Sequence, residues 1–107
     1  MTFDEFDEFQ EELLKEVKGM GAKGKEYAHS EERFANFNRL ASELDLDNKM
    51  VAWVYFKKHI DSIISYIKNS QTYSTEPIRG RFVDAISYLT LIAGMCEEVE
   101  LNKVHEN

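Results

Sequence analysis

Cysteine is almost absent from this 107-residue chain: Cys96 stands alone, so no disulfide can form within it. Its place among apolar residues reads as a small core hydrophobe. Pro77 is the only proline, and no alternating strand pattern, repeat, low-complexity run or linker is present. No apolar run approaches the ~18–20 residues of a membrane span, and the acidic N-terminus does not resemble a secretory leader. His29, His59 and His105 form no HExxH or other paired-ligand spacing, which speaks against zinc. His59 falls on the polar side of its helix and reads as solvated. No GxSxG or P-loop pattern occurs. What is left is one cytosolic, helical domain.

Charge is unevenly spread. The formal net charge is −7, with seven carboxylates against one lysine in residues 1–16 and four more acids in the last dozen residues. The middle of the chain is roughly balanced and holds most of the lysine and arginine. That distribution argues against wrapping duplex DNA. It leaves room for a small phosphorylated ligand or a basic protein partner.

Helical periodicity predicts four helices in one all-α four-helix bundle, at about 2–18, 30–44, 48–69 and 76–99. Thr2 or Asp4 caps the first helix, and its stripe of Phe3, Phe6, Phe9, Leu13, Leu14 and Val17 reads as core-facing. The other faces of that helix are acidic and solvated. Gly19, Gly21 and Gly24 are expected to end it and open a loop. Lys18, Lys23 and Lys25 in that loop could bring bared backbone N–H groups to a phosphate. Ser30 caps the second helix. The third helix carries the stripe Trp53, Phe56, Ile60, Ile63, Ile64 and Ile67, with Lys57, Lys58 and Asp61 on its polar edge.

The fourth helix organises the rest. Ile78, Phe82, Ala85, Leu89, Ile92 and Cys96 line one broad face, while Arg81, Asp84 and Tyr88, then Leu91 and Met95, occupy the other. A helix apolar on two sides is covered on both, and Leu91 and Met95 hint at a self-contact. Asp84 is then a carboxylate among apolar neighbours, which needs a partner or a ligand. Arg81, three residues earlier, is the obvious partner.

A mixed set stands out: Lys57, Lys58 and Asp61 on the third helix, Glu76, Arg81, Asp84 and Tyr88 on the fourth, and Lys25 and Tyr27 after the glycines. Cations suit phosphate, carboxylates suit ribose or amino groups, and tyrosines suit base stacking. An ion-pair network at a subunit contact would use the same residues.

Two passages carry a family resemblance. Lys23-Gly-Lys-Glu-Tyr-Ala followed by Arg33-Phe-Ala-Asn-Phe-Asn-Arg-Leu-Ala resembles the opening of the nucleotide modification associated domain family of small phage and prophage proteins. Those are distant relatives of the all-α MazG-like nucleotide pyrophosphohydrolases. The run Glu76-Pro-Ile-Arg-Gly-Arg-Phe-Val-Asp-Ala-Ile-Ser-Tyr is similar to that family's E-S-I-x-D-x-x-x-D-x-x-x-Y helix, with Gly80 in place of an aspartate. The resemblance implies a MazG-like fold, oligomerisation, and a nucleotide-type pocket using Tyr27, Lys58, Glu76, Asp84 and Tyr88.

The reading that follows is a phage-type protein that binds a nucleotide or nucleotide-derived ligand without efficient hydrolysis, and that could sequester a nucleotide signal. The expected site is Lys25, Tyr27, Lys58, Asp61, Glu76, Arg81, Asp84 and Tyr88, with no cofactor. One alternative is a Mg2+-dependent pyrophosphohydrolase with its metal on Asp61, Glu76 and Asp84; the EExxE helix of MazG-like enzymes is missing. The other is an acidic interaction module that docks on a host protein.

Overall fold

Thr2 and Glu5 secure the first helix end reciprocally. The Glu5 N–H donates to Thr2 Oγ1 and the Thr2 N–H to Glu5 Oε1, both at 3.1 Å. This capping box satisfies two backbone donors that no helical carbonyl can reach. The same backbone bond from Thr2 holds the Glu5 carboxyl below its usual pKa. The computed structural model describes the backbone of residues 1–27, 32–69 and 77–106, and the side chains of all of these except 23–27, 105 and 106.

Four helices follow: α1 (Phe3–Tyr27), α2 (Ala35–Leu44), α3 (Asn48–Asn69) and α4 (Ile78–Glu106). No strand occurs among the described residues, so the all-α expectation holds. None of the described helices is long and apolar enough to cross a membrane. α3 and α4 form the central pair; α1 packs on α4 and α2 on α3. The backbones of α1 and α2 do not meet, so the bundle is open along one side.

The first helix runs well past the expected end at residue 18, through Gly19, Gly21 and Gly24 to Tyr27. Glycine costs a helix about 1 kcal/mol but does not stop it. A glycine stop needs the left-handed conformation, and none of the described glycines has a positive φ. The backbone N–H groups of this stretch are therefore spent inside the helix, and the phosphate-cradling loop is not there. An alanine Cβ at Gly19 or Gly80 would meet nothing within 4 Å. Gly19→Ala and Gly80→Ala should each raise stability by about 0.5–1 kcal/mol, read as a shift in denaturant midpoint at unchanged slope.

α2 begins later than residue 30. The Phe34 N–H donates to the Glu32 carboxylate at 3.1 Å and the Ala35 N–H to the Glu32 carbonyl at 3.2 Å. Those bonds hold Arg33 and Phe34 in a turn, and the expected Ser30 cap lies outside the described residues. The helix ends at Asp45, which takes the left-handed conformation (φ 54°) usually left to glycine. The Leu46 N–H then reaches back to the Ala41 carbonyl at 2.9 Å. α3 starts two residues on, where the Asp47 carboxylate accepts the Lys49 N–H at 2.8 Å and has its pKa lowered by that bond. α4 extends to Glu106, past the expected end at residue 99.

The core sits between α3 and α4. Phe56, Ile63 and Ala85 form its centre, with Ile60, Ile78, Tyr88 and Ile92 packed around them. Ala52, Val51, Val83 and Met95 are buried as well. Of the two residues that hint at a self-contact, Met95 is in the core and Leu91 lines the cavity described below.

The structure also turns both central helices relative to the expected stripes. On α3 Val51, Ala52, Phe56, His59 and Ile63 are buried, so Phe56 and Ile63 of the expected stripe face inward while Trp53, Ile64 and Ile67 are exposed. On α4 the buried line includes Arg81, Ala85 and Met95, while Phe82, Leu89 and Cys96 face outward. Cys96 is therefore not a core residue; it continues the outer stripe at seven-residue spacing from Phe82 and Leu89. On α1 the first turns reach out alone, leaving Phe3 and Phe6 exposed, while Phe9 lies beneath the Arg79 guanidinium at 5.3 Å. Arg79 is held there by Glu16 at 3.1 Å.

Candidate functional site

Because α1 and α2 stand apart, a trough opens between them over a floor of α3 and α4. Its volume is about 910 Å3, within the range of small-molecule sites. α1 contributes Val17 and Lys18; Arg33, Phe34 and Phe37 come from the start of α2. Lys58 and His59 come from α3, and Arg81, Asp84, Ser87 and Tyr88 from α4. The Phe34 ring, just before α2, lies over Gly94 of α4, where a Cβ would sit 3.1 Å from it.

Helical spacing assembles the floor. His59 on α3 meets Arg81 and Asp84, one turn apart on α4. Arg81 Nη1 lies 3.3 Å from His59 Nδ1, and Asp84 Oδ2 lies 3.7 Å from the same nitrogen. Guanidinium can only donate, so a bond from Arg81 needs Nδ1 as acceptor, whereas a bond to Asp84 needs it protonated; the ring tautomer decides between them. Arg81 and His59 are buried, and Asp84 is mostly so. A charged group here is costly unless its surroundings, or a ligand, complete its hydrogen bonds.

Tyr88 closes one wall. Its ring stacks with His59 at 5.4 Å and with Tyr55 at 5.9 Å, and meets Phe37 edge-on at 6.4 Å. Burial first, and then the nearby Asp84 and Tyr55, push its phenol pKa above the usual 10.0. A tyrosine favoured in its neutral form supports folding fully below the ordinary tyrosine pKa. That contribution is lost as pH rises through the raised folded value. An ultraviolet titration of the folded protein should therefore show one tyrosine ionising after the others. Asp84→Asn should bring that late step closer to the rest; an unchanged titration would count against the Asp84–Tyr88 coupling.

Of the expected site residues, the structure brings Lys58, Arg81, Asp84 and Tyr88 together. Asp61 does not join them: it is exposed, ion-paired with Lys57 one turn away, and absent from the trough lining. Lys25 and Tyr27 fall in the last turns of α1, where side chains are not described, and Glu76 lies outside the described residues. Among the described residues no group of three or more His, Cys, Asp or Glu could hold a metal ion. Tyr88, expected to stack on a base, is already engaged with three rings. Phe34 and Phe37 also line the trough, Phe37 standing edge-on to Tyr55 and Tyr88.

His59 is the residue the sequence reading missed. It is buried at the centre of the site, not solvated, and one signal could have found it. It stands at the i+3 position from Phe56 and i+4 before Ile63, a buried register once Ala52 is counted as its first member. Lys18 and Arg33 also reach the trough, although neither adjoins the other site residues in sequence.

No family model, no curated protein and no solved structure matches this chain. Its chemistry has to be argued from the trough itself.

Proposed function

We propose that this protein binds a nucleotide or nucleotide-derived ligand in the trough between α1 and α2. The observation that carries the reading is one of charge. In a chain of net charge −7, the trough gathers Lys18, Arg33, Lys58 and Arg81, with Asp84 the only carboxylate among its described lining residues. Cations concentrated in a partly desolvated cleft attract an anion, and guanidinium groups suit phosphate oxygens in particular. Phe34 and Phe37 offer aromatic surface for a planar group, and Asp84 can accept from a ribose hydroxyl or an amino group. The resemblance of Lys58, Asp84 and Tyr88 to positions in the nucleotide modification associated domain family points the same way.

Native mass spectrometry tests it directly. The protein, as purified and after incubation with a mixture of nucleoside mono-, di- and triphosphates, should carry a nucleotide-sized adduct. Raising the salt concentration should weaken the complex, since exposed Lys18, Arg33 and Lys58 act through screened attraction. An unliganded species that ignores every nucleotide would sink the reading.

A further inference from the structure

We propose that the outer face of α3 and α4 pairs with the same face of a second copy of this chain, burying Trp53, Ile64, Ile67, Phe82 and Leu89. These five side chains are between 40 % and 70 % exposed. By helical spacing they form one stripe on each helix. On α4, Phe82 and Leu89 lie nearly opposite Asp84 and Ser87; on α3, Trp53, Ile64 and Ile67 turn away from Lys58 and His59. The face thus lies on the side of the central pair away from the trough. It does not depend on what the trough binds.

Area is the first reason to assign a second copy. The chain exposes 8359 Å2, whereas a compact monomer of this mass exposes about 6200 Å2. Its radius of gyration is 16.3 Å, against about 13 Å for a compact chain of this length. The chain alone is under-buried. The five side chains leave roughly 450–500 Å2 of apolar surface open, at the upper end of what a soluble monomer shows. An interface of standard size buries about 800 Å2 per partner, some 60 % of it apolar, or about 480 Å2. The stripe supplies that amount.

Charge is the second reason. Copies of an acidic chain repel one another over most of their surface, above all along the acidic α1. The stripe is the exception. Its charged neighbours on α3 are Lys57 and Asp61, which are paired with each other, and Lys68 at its end. An apolar patch of low charge suits a twofold, isologous contact.

Trp53 is the only tryptophan in the chain, so the contact has a built-in reporter. Sedimentation velocity should give twice the 12.5 kDa chain mass, dissociating on dilution over roughly a hundredfold range as mass action requires. Over the same range Trp53 emission should shift to the red and its quenching by acrylamide should rise. Phe82→Glu and Ile64→Lys should each give a monomer with unchanged helical circular dichroism, because both side chains are exposed in the single chain. Phe82→Leu should still dimerise. A monomer at every concentration with invariant Trp53 emission overturns the proposal, as does an assembly that Phe82→Glu and Ile64→Lys leave intact. The dilution experiment on the unaltered chain stands even if a variant fails to fold.

Discussion

Replacing Arg81 by methionine should cost nucleotide binding about ten- to a hundredfold while leaving the protein folded. A hydrogen bond to a charged group contributes about 1.5–3 kcal/mol, which is that range in dissociation constant. Among the described trough cations Arg81 is the buried one, so solvent screens its attraction least. Lys58 is exposed, and Lys58→Met should weaken binding only a few-fold, with the smaller loss vanishing at high salt. Arg81→Lys should recover little, since an ammonium cannot reproduce the planar fork that meets phosphate through two bonds.

The stability side of the same substitution is what separates a ligand site from a structural ion pair. Methionine keeps the apolar length of the arginine stem and removes a guanidinium whose desolvation opposes folding. His59 keeps Asp84 3.7 Å from its Nδ1 as an alternative partner. The expected change in unfolding free energy is therefore within about 1–2 kcal/mol. Denaturant unfolding and calorimetric titration on the same preparation give both numbers. A variant that unfolds outright, or one that binds as tightly as the parent, would show that Arg81 serves the fold and not a ligand.

How much of this could be read from the sequence depends on which physical signal each feature rests on. Local chemistry was legible. The Thr2–Glu5 cap, the turn at Asp45–Asp47 and the bounds of α3 all follow from side chains acting on their own backbone. That Arg81 and Asp84 share the polar side of an otherwise apolar helix was legible too, and the structure sets both of them against His59. The choice of which stripe faces inward was not legible. α3 and α4 are apolar over more than half their circumference. Periodicity offered overlapping registers: Phe56, Ile60 and Ile63 belong to both, and the choice lay between Trp53, Ile64 and Ile67 on one flank and Ala52 and His59 on the other. Only the partner helix selects between them. That ambiguity hid His59, since a residue adjacent to the wrong stripe reads as solvated. It also sent Cys96 to the core when it lies outside. The glycines of α1 misled for another reason: a weak propensity was taken for a stop, where a stop requires a left-handed residue.

Phe56→Ala should be the most destabilising single truncation of a side chain in the α3–α4 core, by about 3–5 kcal/mol. Phe56 is buried at the centre of the cluster with Ile63 and Ala85, and its ring also packs against Trp53 at 5.0 Å. Truncation removes the transfer free energy of a large ring and leaves a cavity between two long helices. The neighbours of the ring are held on two long helices that pack against each other, which limits how far the void can close. The loss is large against the 5–15 kcal/mol that hold an ordinary domain together. It is larger still here, because this chain buries little and α3–α4 is the central pair on which α1 and α2 each pack. Loosening that seam also moves Tyr88, which packs on the same cluster and carries the ring stack over His59. Ligand binding should therefore fall along with stability in Phe56→Ala, the reverse of the separation expected for Arg81→Met. Val54→Ala, on the exposed side of the same helix, should stay within about 0.5 kcal/mol of the parent. Denaturant midpoints for the three variants decide it: equal losses at Phe56 and Val54 would mean that α3 does not face α4 through Phe56.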